Sequence, residues 1–303
     1  MKKIYIIIFA LFCSYIANSQ VVPDYGIYNQ NLLLINPADA GINGGINVNL
    51  GHKIQWIGFK DAPLNTYLSL DGLLTNSMGL GFIVNKQRMG LLNIINTNLN
   101  YSYRIEIADE HSIALGLNIN FLQNKISNDG LTDYELADAA LISNKFDESL
   151  LTNGAGISYR FKDLSIDVSS PLLFSYQESK AFQLVYSYLA YDFYLSNETW
   201  RIQPSTLIKY SRSNPVQADF SLLADWNTNV WGQVTYCTNN DLVIAAGVFI
   251  KYIGIGYAYE INLNPISYTS SGSHEIVIQF NSPFSLSKKK PLYIDSKNRN
   301  TWN

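Results

Sequence analysis

Between Ser112 and Phe121 the chain alternates without a break. Ile113, Leu115, Leu117, Ile119 and Phe121 are apolar, and Ser112, Ala114, Gly116, Asn118 and Asn120 are small or polar. Successive side chains of an extended chain point to opposite sides, so this pattern makes a strand with one face in an apolar medium and the other against something polar or crowded. The alternation recurs at Ile46, Val48 and Leu50; at Leu99, Tyr101, Tyr103 and Ile105; at Ala155, Ile157, Tyr159 and Phe161; and at Ile253, Ile255, Tyr257, Tyr259 and Ile261. No helical period of comparable length competes. Runs bounded by turn residues predict fourteen strands, near 45–54, 64–71, 78–86, 93–106, 112–123, 151–161, 164–169, 181–194, 199–210, 215–225, 229–237, 242–250, 252–262 and 273–281. Of these, 164–169 is short and 199–210 is interrupted by Pro204.

An even count allows both chain ends to lie on one side of a closed antiparallel barrel. The odd-numbered connections then share a rim, and they include the long ones, 124–150, 170–180 and 263–272. The even-numbered ones are short, built around Asp109-Glu110-His111, Lys162-Asp163, Trp226-Asn227-Thr228 and Lys251. Outer-membrane barrels have this layout, with long extracellular loops and short periplasmic turns; a soluble sandwich, the structural alternative, has no reason to segregate them. Composition agrees. The 303 residues are 15% charged and 13% aromatic, whereas a soluble domain carries roughly 25% charged residues. A bilayer cannot satisfy open strand edges, so a sheet within it must close, with apolar side chains outward and tyrosine and tryptophan at the interfaces. Tyr101, Tyr103, Tyr159, Tyr186, Tyr188, Tyr257, Tyr259, Trp56, Trp200, Trp226 and Trp231 are the expected interface aromatics. The last strand ends on an aromatic, Phe280. The predicted fold is all-β, a closed antiparallel transmembrane β-barrel of about 14 strands.

Lys2 and Lys3, the uncharged run Ile4–Cys13 and the small residues of Ala17-Asn18-Ser19 have the order of a secretory leader ending before Gln20. Phe12 is too bulky to precede a lipidated cysteine, so Cys13 is not read as an anchor. The mature chain would keep only Cys237 and form no internal disulfide. Its longest apolar run, Leu242–Ile250, is far short of the roughly 18 residues a membrane-crossing helix needs. Removing the two leader lysines takes the formal charge from −3 to −5; the tail, with five bases against one acid, leaves −9 on the remainder. An acidic body argues against nucleic acid as a partner. The expected organisation is a leader at 1–19, an N-terminal periplasmic segment at 20–43, a barrel at 44–281 and a basic tail at 282–303.

Catalytic chemistry is not indicated. His52, His111 and His274 are the only histidines. Ser273 and Glu275 flank His274, but neighbours in a strand point to opposite faces, so adjacency cannot make a triad. No histidine–cysteine cluster suits zinc. The acidic loop 124–150 fails the EF-hand register, since Gly130 at position six puts Leu136 at position twelve. We expect no enzyme, no cofactor and no metal site.

Between leader and first strand lies Tyr28-Asn29-Gln30-Asn31-Leu32-Leu33-Leu34-Ile35-Asn36-Pro37-Ala38-Asp39-Ala40-Gly41. It resembles the opening signature of the PorP/SprF family of type IX secretion system outer-membrane proteins, Tyr-x-x-Asn followed by Asn-Pro-Ala-x-Ala-Gly. Further matches are Gln55-Trp56-Ile57-Gly58, Ala62-Pro63, Met78-Gly79-Leu80-Gly81, Asn100-Tyr101-Ser102-Tyr103-Arg104, Asn153-Gly154-Ala155-Gly156 and Gly272-Ser273-His274-Glu275-Ile276. The resemblance implies a fourteen-stranded barrel in the outer membrane of gliding or secreting Bacteroidota. Its implied partners are outer-membrane lipid, other type IX components and a cognate exported protein with a C-terminal sorting domain, such as a gliding adhesin. Asn36, Pro37, Ala38, Ala40 and Gly41 read as a turn that folds under or into the barrel mouth on the periplasmic side, either as a cap on the first strand or as a docking surface for secretion partners. Gln55 and Trp56 are expected at the outer interface, with Trp56 as an anchor. A diffusion porin is the functional alternative, because inward asparagines, serines and glycines would also line a wet channel.

Overall fold

The structure is a computed structural model that describes residues 25–127, 147–175, 184–195, 199–212 and 214–282. The leader, the acidic cluster at 129–138 and the basic tail after Ser282 lie outside the described residues. The strands are β1 (Ile46–Ile54), β2 (Leu64–Leu73), β3 (Met78–Met89), β4 (Leu92–Ala108), β5 (His111–Ile126), β6 (Glu148–Phe161), β7 (Leu164–Ser175), β8 (Leu184–Tyr191), β9 (Phe193–Leu195), β10 (Trp200–Ser211), β11 (Asn214–Trp226), β12 (Val230–Cys237), β13 (Asp241–Ile250), β14 (Ile253–Asn262) and β15 (Ser273–Ser282). Each pairs antiparallel with its neighbours in the ring, and β15 returns to β1 from Ile46↔Ser282 to Ile54↔His274, closing the sheet. β8 and β9 are two parts of one ribbon, both paired with β10, so the wall has fourteen ribbons.

Two irregularities trace to proline. Pro204 has no N–H to give a ladder, and β10 pairs with β8 only up to Ser205↔Ala190 and with β9 from Ile202↔Phe193. In the gap Asp192 turns inward and accepts from Gln203 Nε2 at 2.8 Å. The strand expected at 164–169 runs on to Ser175, because register shifts beside Ser169–Leu172 accommodate Pro171 as a bulge rather than a turn.

The long connections all lie on one rim, as expected. The connections joining β2–β3, β4–β5, β6–β7, β9–β10, β11–β12 and β13–β14 are at most four residues, whereas the opposite rim has 55–63, 127–147, 176–183 and 263–272. On β5, Leu115, Leu117 and Ile119 are exposed, while Ala114, Asn118 and Asn120 are buried. The outward face is apolar round the ring, while the inward face is mostly small or polar with apolar patches at Tyr67, Ile83, Leu207 and Val243. Outward Tyr103, Tyr191, Trp200, Trp226 and Tyr252 gather near the short-turn rim, as an interfacial belt does. Three of the expected interface aromatics are corrected, for Tyr186, Tyr188 and Trp231 point inward and are buried.

Since Leu117 faces outward in the middle of the apolar band, Leu117→Arg is expected to cost about 2–4 kcal/mol. Urea titration in phospholipid vesicles measures it, and a change below about 1 kcal/mol would place this position away from the hydrocarbon.

Candidate functional site

The space inside the ring is occupied by the chain itself. From Tyr25 to Ile42 nearly every residue is buried, in three short 3-10 turns at Tyr28–Gln30, Leu32–Leu34 and Pro37–Asp39. Apolar side chains of this segment fill pockets in the wall. Ile27 packs with Trp231, Val243, Ala245, Ala258 and Val277; Tyr28 and Ile35 with Leu184, Tyr186, Tyr188 and Leu207; Leu33 and Ala40 with Ile83. This explains the inward aromatics: they meet an inserted segment rather than lipid or water. The backbone is satisfied by the wall, with Ser169 Oγ donating to Ile35 O, Ser102 Oγ to Ala40 O, Gln233 Nε2 to Gly26 O and Gln279 Nε2 to Gln30 O.

The segment crosses the barrel lengthwise. Gly26 N donates to Glu275 Oε2 at 2.7 Å near the long-loop end of β15, and Tyr25 OH meets Asn85 on the same side. At the other end Gly41 N donates to Asp71 Oδ2 at 2.9 Å, beside the short-turn rim where β1 begins.

Each residue of Asn36-Pro37-Ala38-Asp39-Ala40-Gly41 has a distinct task in this seat. Asn36 Oδ1 caps the turn by accepting from Ala38 N at 3.0 Å, while its Nδ2 donates to Ile157 O and Asp167 Oδ1. Pro37 occupies the first helical position, where a missing N–H costs nothing. Ala38 and Ala40 are wholly buried, and a Cβ on Gly116 or Gly79 would overlap the backbone of Ala38 or Ala40 respectively. A Cβ on Gly156 would overlap Asn36 Oδ1. Gly41 has φ +71°, the left-handed region that frees the chain to turn into β1. Gly79, Gly116 and Gly156, far apart in the sequence, are therefore one cradle contributed by β3, β5 and β6.

Charge locks the turn. Arg160 bridges Asp39 at 2.9 Å and Asp167 at 2.7 Å, all three buried, and Ser158 Oγ adds a bond to Asp39 at 3.1 Å. Asp39, Arg160 and Asp167 were not singled out from the sequence. The available signal was an arginine in the polar phase of a strand otherwise lined by glycine and serine.

Gln55 and Trp56 lie elsewhere, at the far end of β1. Gln55 N donates to Pro63 O, Trp56 N to Ser273 Oγ and Ile57 N to Gly272 O, and Ser271 N donates back to Ile57 O. Thus Gln55-Trp56-Ile57-Gly58, Ala62-Pro63 and Gly272-Ser273 meet as a second cluster, where the loops beside the β1–β15 seam are laced together. Exposed Phe59 packs against Trp56, and Tyr268 is 90% exposed. His274 points outward to Tyr257 while Ser273 and Glu275 are buried on the inner side.

Residues 17–280 match the family model described as type IX secretion system membrane protein PorP/SprF. The chain belongs to the PorP/SprF family. It is an outer-membrane component of type IX secretion. No curated protein sequence matches it. Among solved structures, this PorP/SprF barrel is similar to the Pseudomonas putida toluene transporter TodX (9% identity, TM-score 0.48, 83% of this chain and 94% of that one). It is also similar to the CymD monoaromatic hydrocarbon channel (10%, 0.48, 84% and 92%). CdiB from Acinetobacter baumannii is a further likeness (9%, 0.42, 78% of this chain), and there the PorP/SprF chain spans 60% of the other's length.

Proposed function

We propose that this barrel binds a cognate exported protein at the outer membrane, helping to export or anchor it, and does not carry it through its own lumen. One observation carries the reading: the lumen is packed by Tyr25–Ile42. A porin wets its inward side chains. Here inward Asn49, Asn65, Asn85, Asn100, Asn120, Ser158, Ser205, Ser221, Thr235 and Gln279, spread round the ring, are all buried, which argues against the diffusion-porin alternative. With the lumen filled, the rims and outer wall remain as working surfaces. The laced loops at Gln55–Trp56 and 263–272, on the rim of long connections, are the surface we assign to the exported partner, and the Asn36–Gly41 turn serves the seat of the plug. A surface adhesin with a C-terminal sorting domain fits this role.

Cross-linking in intact cells followed by purification is expected to recover a large secreted protein and other type IX components, and the purified barrel in planar bilayers is expected to give no steady conductance. Large unassisted conductance without a cross-linked secreted protein would establish the porin instead.

A further inference from the structure

We propose that the outer wall of β3–β5 carries a binding site for the phosphate groups of an outer-leaflet lipid. On this part of the wall the outward face is free of charge as far as one ladder row, Val84↔Thr97↔Phe121. In the next outward row toward the long-loop rim Lys86 stands opposite Thr66 and Ile95, and Ile95 opposite Gln123. One row further, Arg88 and Lys125 flank Asn93 on either side. Adjacent strands are about 4.8 Å apart, so Arg88 and Lys125 stand roughly 10 Å from each other, with Lys86 about 7 Å along β3 from Arg88. All three bases are exposed, and none forms an ion pair among the described residues.

Interfacial lysines and arginines can simply extend toward water. That explanation distributes them round a barrel. Here the outward strand positions on the long-loop half carry, among the described residues, only these three charged side chains, all positive and on neighbouring ribbons. Asp147, the described acid beside them just before β6, is taken up by Ile126 N at 3.1 Å and forms no ion pair with Lys125. Three bases of one sign on one face add to a positive field that draws an anion to the space between them. Long loops mark the extracellular rim, so the anion at this height is a lipid headgroup. A phosphate among Lys86, Arg88 and Lys125, with Asn93 and Gln123 as added donors, would leave its acyl chains along Val84, Phe121 and Leu151 below.

The test uses the full-length barrel in detergent with bisphosphorylated lipid A as the probe, read by native mass spectrometry. Wild type is expected to retain the lipid, and K86Q/R88Q/K125Q to bind it about 100-fold more weakly. A control with equal charge removed from exposed sites elsewhere, K162Q/R212Q/K251Q, is expected to bind as wild type does. Heat-dependent gel mobility checks that both variants fold. The proposal fails if the first variant binds normally, if the control loses as much, or if dephosphorylated lipid A binds equally well. Inorganic phosphate alone binding as tightly would reassign the site to a free anion and overturn the lipid assignment.

Discussion

Replacing Gly116 with leucine is expected to deny the Asn36–Gly41 turn its seat. Even the first side-chain atom would overlap Ala38 N, and backbone on both sides leaves nothing flexible to give way. Overpacking of this kind costs about 3 kcal/mol, the upper part of its usual range. The barrel should lose its heat-resistant gel form at lower temperature. Any fraction that does fold should conduct ions, because the turn no longer fills the lumen. Gly116→Ala is expected to move in the same direction by a smaller amount. An unchanged melting profile with a closed lumen for the leucine variant would mean that the turn does not rest on β5.

Arg160→Met should be comparably damaging for a different reason. The guanidinium holds Asp39 and Asp167 together inside the barrel, and its removal leaves two buried carboxylates facing each other. Breaking a buried ionic cluster from one side costs about 3–5 kcal/mol, whereas neutralising all members costs far less. Arg160→Met with Asp39→Asn and Asp167→Asn is therefore expected to recover most of the stability of the single variant, read as the urea midpoint of the folded, detergent-solubilised protein. Equal loss in single and triple variants would assign the effect to packing and not to charge.

The ribbons were legible because a period of two needs only local sequence. All fourteen expected segments coincide with ribbons of the wall, and loop lengths sorted the rims. What periodicity cannot say is what each face meets. On β8, Leu184, Tyr186 and Tyr188 alternate with Val185, Leu189 and Tyr191 nearby, so both faces are apolar and either set suits lipid. The inward set is apolar because Tyr28 and Ile35 lie against it. The motif at Asn36–Gly41 was visible as a turn, and its cradle as unrelated Gly-x-Gly pieces, but nothing local connects Gly79, Gly116 and Gly156. Asp39 stands at the variable position of the signature, so its tie to Arg160 across 121 residues had no motif to announce it.

The lengthwise course of the plug bears on the order of assembly. Gly26 is gripped by Glu275 and the carbonyl of Gln30 by Gln279, partners separated by 249 residues and supplied by the last strand of the ring. Since the plug is continuous with β1 at the short-turn end, it must already lie inside when β15 zips onto β1, or else be drawn afterwards through a finished pore. The first route matches hydrogen bonds that the final strand makes to plug and first strand together, Gln279 reaching both Gln30 and Asn49. Those earliest described residues then act as a mandrel on which the cylinder is wound.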